Sequence, residues 1–290
     1  MAEFLQLVIA GVMVGGIYGL VAMGFVLIYK STGVFNLAQG EFVCLSSYVG
    51  WVLLEQVGLP AWTSVLLALV FGIVMGLALA RFPLRPLIAQ PLFATIMVTL
   101  GIGIVLRGFI SLFWFGSYHA YPEIIVAETF NLGDLRISPH YLIGFLVTLA
   151  ILGGFTYLFR RTKIGLGMRA TCEDHQVVQS FGVNINAIIT AVWVLTWVVS
   201  VMAGLILGMM QGVSFSLVYV GIKALPAAVF GGLDSIPGAL IGGVFVGVVE
   251  CLVAGYVGQG LGPLMPFLIM ILVLLVRPYG LFGLERIERV

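Results

Sequence analysis

Long uncharged apolar runs, broken by short polar stretches, dominate this chain. A helix rises 1.5 Å per residue and about 30 Å of hydrocarbon must be crossed, so uncharged windows of about 20 residues mark candidate spans. Eight regions emerge, approximately Phe4 to Tyr29, Phe42 to Leu54, Trp62 to Ala80, Leu92 to Trp114, Tyr141 to Phe159, Ala187 to Met210, Leu217 to Leu233 together with Ala239 to Ala254, and Leu264 to Val276. The pattern predicts an all-α integral membrane protein of about eight transmembrane helices, including broken or re-entrant ones. The second run is short unless its polar approach, Asn36 to Glu41, is also drawn into the membrane. The Leu217 stretch holds Lys223 and Pro226, so it is either a re-entrant helix or a full span.

Glycine recurs at helical spacing inside these runs: Gly11, Gly15 and Gly19; Gly72 and Gly76; Gly204, Gly208 and Gly212; Gly238 and Gly242. Small residues four apart let helix backbones approach closely in lipid, which predicts a tightly packed bundle. Composition agrees with burial in lipid. The chain is 61% hydrophobic and only 9% charged, where soluble domains carry roughly 45–50% apolar and about 25% charged residues.

Basic residues then set the orientation. They collect at Arg81 to Arg85, at Arg160 to Arg169, and at Arg277, Arg286 and Arg289, which predicts that these segments are cytoplasmic. The loop Gly116 to His140 carries Glu123, Glu128 and Asp134 against Arg136 and suits the outer side. Both ends follow: the amino terminus outside, Lys30 inside, and the carboxyl terminus inside, the last only if the Leu217 stretch crosses. Glu3, with no basic region before the first apolar run, reads as the start of a retained transmembrane helix and not a cleaved signal.

A charge at mid-membrane costs about 2.5–3.5 kcal/mol on insertion scales, so polar residues inside the runs need a reason. Two regions concentrate them: Asn36, Gln39 and Glu41 between the first two runs, and Gly221, Lys223 and Pro226 followed by Gly231 to Gly238. Glycine or proline beside a charge is the pattern of a broken helix whose freed backbone lines a cavity. The plainer alternatives are that Glu41 caps a helix start and that Lys223 snorkels to an interface. Arg107 and Glu250 stand as isolated intramembrane charges, explicable by local pairing.

The segment Thr162 to Asn184 is the longest charged stretch. Met168 to Phe181 has helix-compatible composition, and Gly182 supplies a terminating position. Met168, Cys172 and Val178/Phe181 form an apolar stripe beside Arg169, Glu173, Asp174 and Gln176. Mixed charge with a small apolar face suits docking to a protein better than lying on headgroups.

Several chemistries lack their residues. Cys44, Cys172 and Cys251 are far apart and no Cys/His ligand spacing occurs; His119, His140 and His175 are isolated, so no metal site is expected. There is no GxxxxGK[ST] phosphate loop, no HExxH and no GxSxG, and no nucleophile and base pair at helical spacing. The chain is therefore not expected to be an enzyme, and any ATP hydrolysis would come from a partner. A net charge of +1 leaves no basic face for nucleic acid.

Three motifs carry a family resemblance. They are Gly221-Ile222-Lys223-Ala224-Leu225-Pro226-Ala227-Ala228-Val229-Phe230-Gly231-Gly232 continuing through Ser235-Ile236-Pro237-Gly238-Ala239, then Asn36-Leu37-Ala38-Gln39-Gly40-Glu41, and Gly167-Met168-Arg169-Ala170 with Glu173-Asp174 and Gly182-Val183-Asn184. Taken in their order along the chain they resemble the H-type permease of branched-chain amino-acid ABC importers, over nearly the whole chain. The sequence departs from the family at Gln39, usually histidine, at Pro226, often threonine, and at Asp234, often glycine.

The resemblance implies residues 1–290 as a single transmembrane permease domain of the bacterial inner membrane, with a cytoplasmic coupling helix near 163–182. It implies a heterodimer with a second similar permease, two cytoplasmic ATPase subunits that use ATP-Mg, and a periplasmic binding protein that delivers substrate; the chain itself would bind no cofactor. Asn36, Gln39, Glu41, Lys223 and Pro226 would line or gate the path, and Arg169, Glu173, Asp174 and Gln176 would meet the ATPase. Relatives in the superfamily handle urea, amides and aromatic acids, so the substrate extends to related solutes. The rival reading is a secondary transporter or channel in which Glu41, Glu250 or Lys223 binds a coupling ion or proton.

Overall fold

The computed structural model describes residues 1–87, 90–122, 130–132, 135–137, 139–173 and 184–283. It is an all-α membrane protein: among these residues six helices are long and apolar enough to cross a bilayer. Helix α1 (Ala2–Thr32) runs 31 residues, about 46 Å at 1.5 Å per residue and so longer than the hydrocarbon. It stops at Gly33, whose φ of +70° favours glycine and whose N–H returns to the Tyr29 carbonyl.

Helix α2 (Gln39–Trp51) starts three residues before the apolar run Phe42 to Leu54, because Gln39, Gly40 and Glu41 are buried inside it. Of the polar approach Asn36 to Glu41, the last three residues are thus part of the helix, and Asn36 to Ala38 form the turn before it. After it come α3 (Ala61–Leu79) and α4 (Leu92–Trp114), each entered behind a proline, Pro60 and Pro91. A short antiparallel hairpin pairs Phe130–Leu132 with Leu135–Ile137, and α5 (Pro139–Arg161) and α6 (Lys163–Glu173) complete the first part of the chain.

Asn184 caps α7 (Ile185–Gln211), its side chain accepting from the Ala187 N–H at 3.2 Å. The paired runs Leu217 to Leu233 and Ala239 to Ala254 are two helices, α8 (Ser216–Gly231) and α9 (Ile236–Tyr256). Gly232 at φ +93° and the Ser235 cap on Gly238 separate them. Helix α10 is Met265–Val276.

The chain divides into two compact units, residues 1–26, 127–152 and 222–290 in one and 27–126 with 153–221 in the other. In the first, α1 meets α9 backbone to backbone. A Cβ placed on Gly11 would lie 2.6 Å from the Val248 Cα, on Gly15 2.6 Å from the Val244 Cα, and on Gly19 2.9 Å from the Leu240 Cα. The partner number falls as the α1 number rises, so the two helices are antiparallel, and the glycine spacing is what permits their contact.

In the second unit α3 packs on α7, Gly72 against Val201 and Gly76 against Val194. Ala68, Val201 and Leu205 form one buried apolar cluster there. Helix α2 runs alongside α7 in the same direction: Gln39 meets Ser200, and Gly204 and Gly208 both meet Ser47. Phe42 stacks on Trp197 with centroids 4.3 Å apart. Helix α4 is less enclosed, with Phe93, Ile104, Val105, Leu112 and Phe113 outward-facing.

Candidate functional site

The break between α1 and α2 assembles the first polar cluster, within the second unit. Asn36 accepts from the Ala38 N–H at 3.2 Å, fixing the turn into α2, and its amide donates to Gln39 Oε1 at 3.2 Å. Gln39 donates in turn to the Ser200 hydroxyl at 3.0 Å, which donates to the Thr196 carbonyl. Asn36, Gln39 and Ser200 are all fully buried. The Thr99 hydroxyl on α4 accepts from the Leu37 N–H, closing the cluster from another side.

One turn on, Glu41 accepts from the Arg107 guanidinium. The carboxylate side chain is 7% exposed and the guanidinium 53%, so the acid is shut in while its partner reaches it from the outer face of α4. Removing Arg107 from this pair leaves the enclosed Glu41 carboxyl without its partner. Sequence patterning had flagged Glu41 as part of a broken helix and left Arg107 isolated. The structure makes them one unit.

The first unit holds a second ion pair. Lys223 on α8 donates to Glu250 Oε1 on α9 at 2.6 Å, and the other carboxylate oxygen is buried with no hydrogen-bond partner among the described residues. Lys223 therefore does not reach outward in the snorkelling manner. Pro226 lies inside α8 three residues further on. Lacking an N–H, it leaves the Ile222 carbonyl without its helical donor, one place where α8 can bend. Ala224, Ala227 and Ala228 beside it are fully buried.

Helix α6 carries two of the predicted docking residues, Arg169 and Glu173. The Thr162 hydroxyl accepts from the Gly165 N–H at 3.1 Å and so caps its start. Met168 is fully buried, and Gly167 lies against Ile188 of α7. The exposed side carries Ile164, Leu166 and Arg169, the last reaching back to the Gly165 carbonyl at 3.4 Å. Glu173 is the last described residue of the helix; Asp174 and Gln176 lie outside the described residues, as does the stretch to Gly182.

Ser200, Thr99 and the two charge pairings escaped the sequence reading, as did a cluster around His119. That ring stacks on Trp51 at 4.1 Å, its backbone bridges to Val213, and Tyr48 stacks on Trp114 while donating to the Ser117 carbonyl. Burial pushes the neighbouring Tyr121 phenol up, and its hydroxyl has no partner among the described residues. One signal was available. Glu41, Arg107, Lys223 and Glu250 are two acids and two bases in apolar runs, and such charges persist by pairing.

Comparison with known proteins completes the picture. Residues 7–274 match the family model described as the branched-chain amino acid transport system / permease component. The chain is 31% identical to the high-affinity branched-chain amino acid transport system permease protein BraD of Pseudomonas aeruginosa, over 99% of this chain and 98% of that one. It is 30% identical to the permease proteins LivH of Salmonella typhimurium and of Escherichia coli K12, with the same coverage. No solved structure matches significantly.

Proposed function

Because this chain belongs to the permease-component family of branched-chain amino acid transport systems, we propose that it is the transmembrane permease subunit of an ATP-driven ABC importer for branched-chain or related amino acids. The observation that carries the reading is the family match along nearly the entire chain. The buried cluster of Asn36, Gln39 and Glu41 at a helix break supports it by supplying a polar site within apolar helices.

In this reading residues 1–290 act as one permease domain in a bacterial inner membrane, with the basic segments inside the cell. A second, homologous permease completes the pathway, and a periplasmic binding protein delivers the solute. Asn36, Gln39, Glu41, Lys223 and Pro226 line or gate the route. Two ATPase subunits hydrolyse ATP-Mg and grip the segment 163–182 through Arg169, Glu173, Asp174 and Gln176. Their closure and reopening rock the helices between outward and inward openings.

Co-reconstitution tests this. Liposomes holding the chain with the sister permease, the ATPases and the binding protein should accumulate labelled leucine only with ATP inside the ATPase compartment. Uptake by the chain alone, at the same rate and without nucleotide, would sink the proposal and favour a channel.

A further inference from the structure

A pocket of about 230 Å³ opens in the second unit where the end of α3 meets the start of α7, and Asn36, Gln39, Glu41 and Arg107 are not among its lining residues. Its polar lining is Arg81 and Arg85 from one side and Asn186 and Thr190 from the other, over a floor that includes Leu77 and Ile189. Among the described residues no carboxylate lines it. Neither guanidinium has a hydrogen bond or ion pair among the described residues.

The two arginines are four positions apart, Arg81 inside a widened helical turn, Ala80–Leu84, that contains Pro83, and Arg85 directly after it. Like charges at that spacing repel, and an anion between them removes the repulsion. The first turn of α7 adds its partial positive charge to the same space, and Asn186 offers an amide donor. The Thr190 hydroxyl already donates to the Asn186 carbonyl at 2.7 Å, so it can only accept.

What surrounds the pocket identifies the anion's carrier. The side of α3 that leads to it is outward-facing and apolar, through Leu66, Val70, Val74 and Leu77, with Trp62 at one end and Phe82 at the other. That is the dress of a lipid-facing helix between two interfaces, and its arginine end is the cytoplasmic one by the positive-inside rule. From this we infer that the Arg81/Arg85 pocket binds the phosphodiester headgroup of an anionic phospholipid, with the acyl chains running along α3. Guanidinium forks match phosphate oxygens, and basic pockets at the cytoplasmic ends of membrane helices suit such headgroups.

The test uses the purified full-length chain, delipidated in detergent and titrated with phosphatidylglycerol, with phosphatidylcholine of equal chain length, and with inorganic phosphate. Native mass spectrometry counts bound lipid, and the melting temperature is followed in parallel. Phosphatidylglycerol should be retained in preference to phosphatidylcholine, and Arg81→Gln with Arg85→Gln should weaken it roughly ten- to thirtyfold. The Arg81→Lys, Arg85→Lys pair, which keeps the charge, should fall between. Should the glutamine variant fail to fold, the lipid preference of the unaltered chain decides alone.

Equal retention of both lipids overturns the inference, as does unchanged phosphatidylglycerol binding in the glutamine variant. Displacement of the lipid by an equal concentration of inorganic phosphate also overturns it, marking a free-anion site. So does loss of a cytoplasmic protein partner from that variant with lipid retention intact.

Discussion

Lys223 and Glu250, 27 positions apart on two neighbouring helices, neutralise each other at 2.6 Å within one compact unit. Their side chains are 21% and 12% exposed, so neither charge has water enough to stand alone. Lys223→Met should strand the carboxylate and destabilise the protein by about 3–5 kcal/mol, whereas Lys223→Met with Glu250→Leu should recover most of that. Melting temperature in detergent reads the stability, and leucine uptake in the reconstituted assembly reads the gate. A pathway role for Lys223 predicts that the double variant recovers stability while uptake stays lost; full recovery of uptake would leave the pair a staple between α8 and α9.

The Glu41–Arg107 pair should respond asymmetrically. Arg107→Ala leaves an ionised acid walled in by α2 and its neighbours, while Glu41→Gln keeps the shape of the buried group and leaves a guanidinium that can still reach the outer face of α4. The arginine variant should therefore melt at the lower temperature of the two. Glu41→Gln melting below Arg107→Ala would refute this ordering.

Contact between α1 and α9 leaves no volume for a side chain at Gly15. Gly15→Val should abolish recovery of folded protein, because the added atoms meet the backbone of Val244 and not a side chain that can rotate. Gly108→Ala in α4 is the control: nothing lies within 4 Å of an added Cβ there, and its yield and melting temperature should match the parent.

Helix α6 is held at one face by Met168 and Gly167 and free at the other. Glu173→Lys with Asp174→Lys should leave insertion and melting temperature unchanged yet uncouple ATP hydrolysis from uptake in the assembly. An ATPase assay beside a transport assay separates the two, and unchanged uptake would exclude a docking role for this end of the segment.

Hydropathy alone reveals much of the fold. Span positions follow from the cost of unsatisfied backbone in lipid, and the glycine fours in α1, α3 and α7 pointed to close packing because little else makes small residues recur at that interval. The buried start of α2 was visible as Asn36, Gln39 and Glu41, since polar groups next to an apolar run must be hidden or hydrated. What pattern could not supply was partners. Gln39 with Ser200, Glu41 with Arg107 and Lys223 with Glu250 are contacts between helices, and their sequence separations of 161, 66 and 27 residues carry no periodic trace. The break between α8 and α9 is legible as the glycine- and proline-bearing stretch Gly231 to Gly238, whereas the positive φ of Gly232 and the Ser235 cap on Gly238 that make it are local geometry that hydropathy does not carry.

Accessibility of the buried cluster tests whether it belongs to the pathway. Asn36 and Gln39 are closed to solvent in this conformation, so a cysteine at either position, in a background where Cys44, Cys172 and Cys251 are replaced, should resist a membrane-impermeant thiol reagent. Alternating access requires that a pathway residue face water in another state. Labelling of Gln39→Cys should therefore rise when the assembled ATPases are trapped with nucleotide and fall on its removal, whereas Val201→Cys, in the buried apolar cluster of the same unit, should stay unreactive in both. Lasting protection of the Gln39 position under every nucleotide condition would make the cluster a structural lock between α2 and α7, because a group that water never reaches cannot touch a hydrated solute in transit.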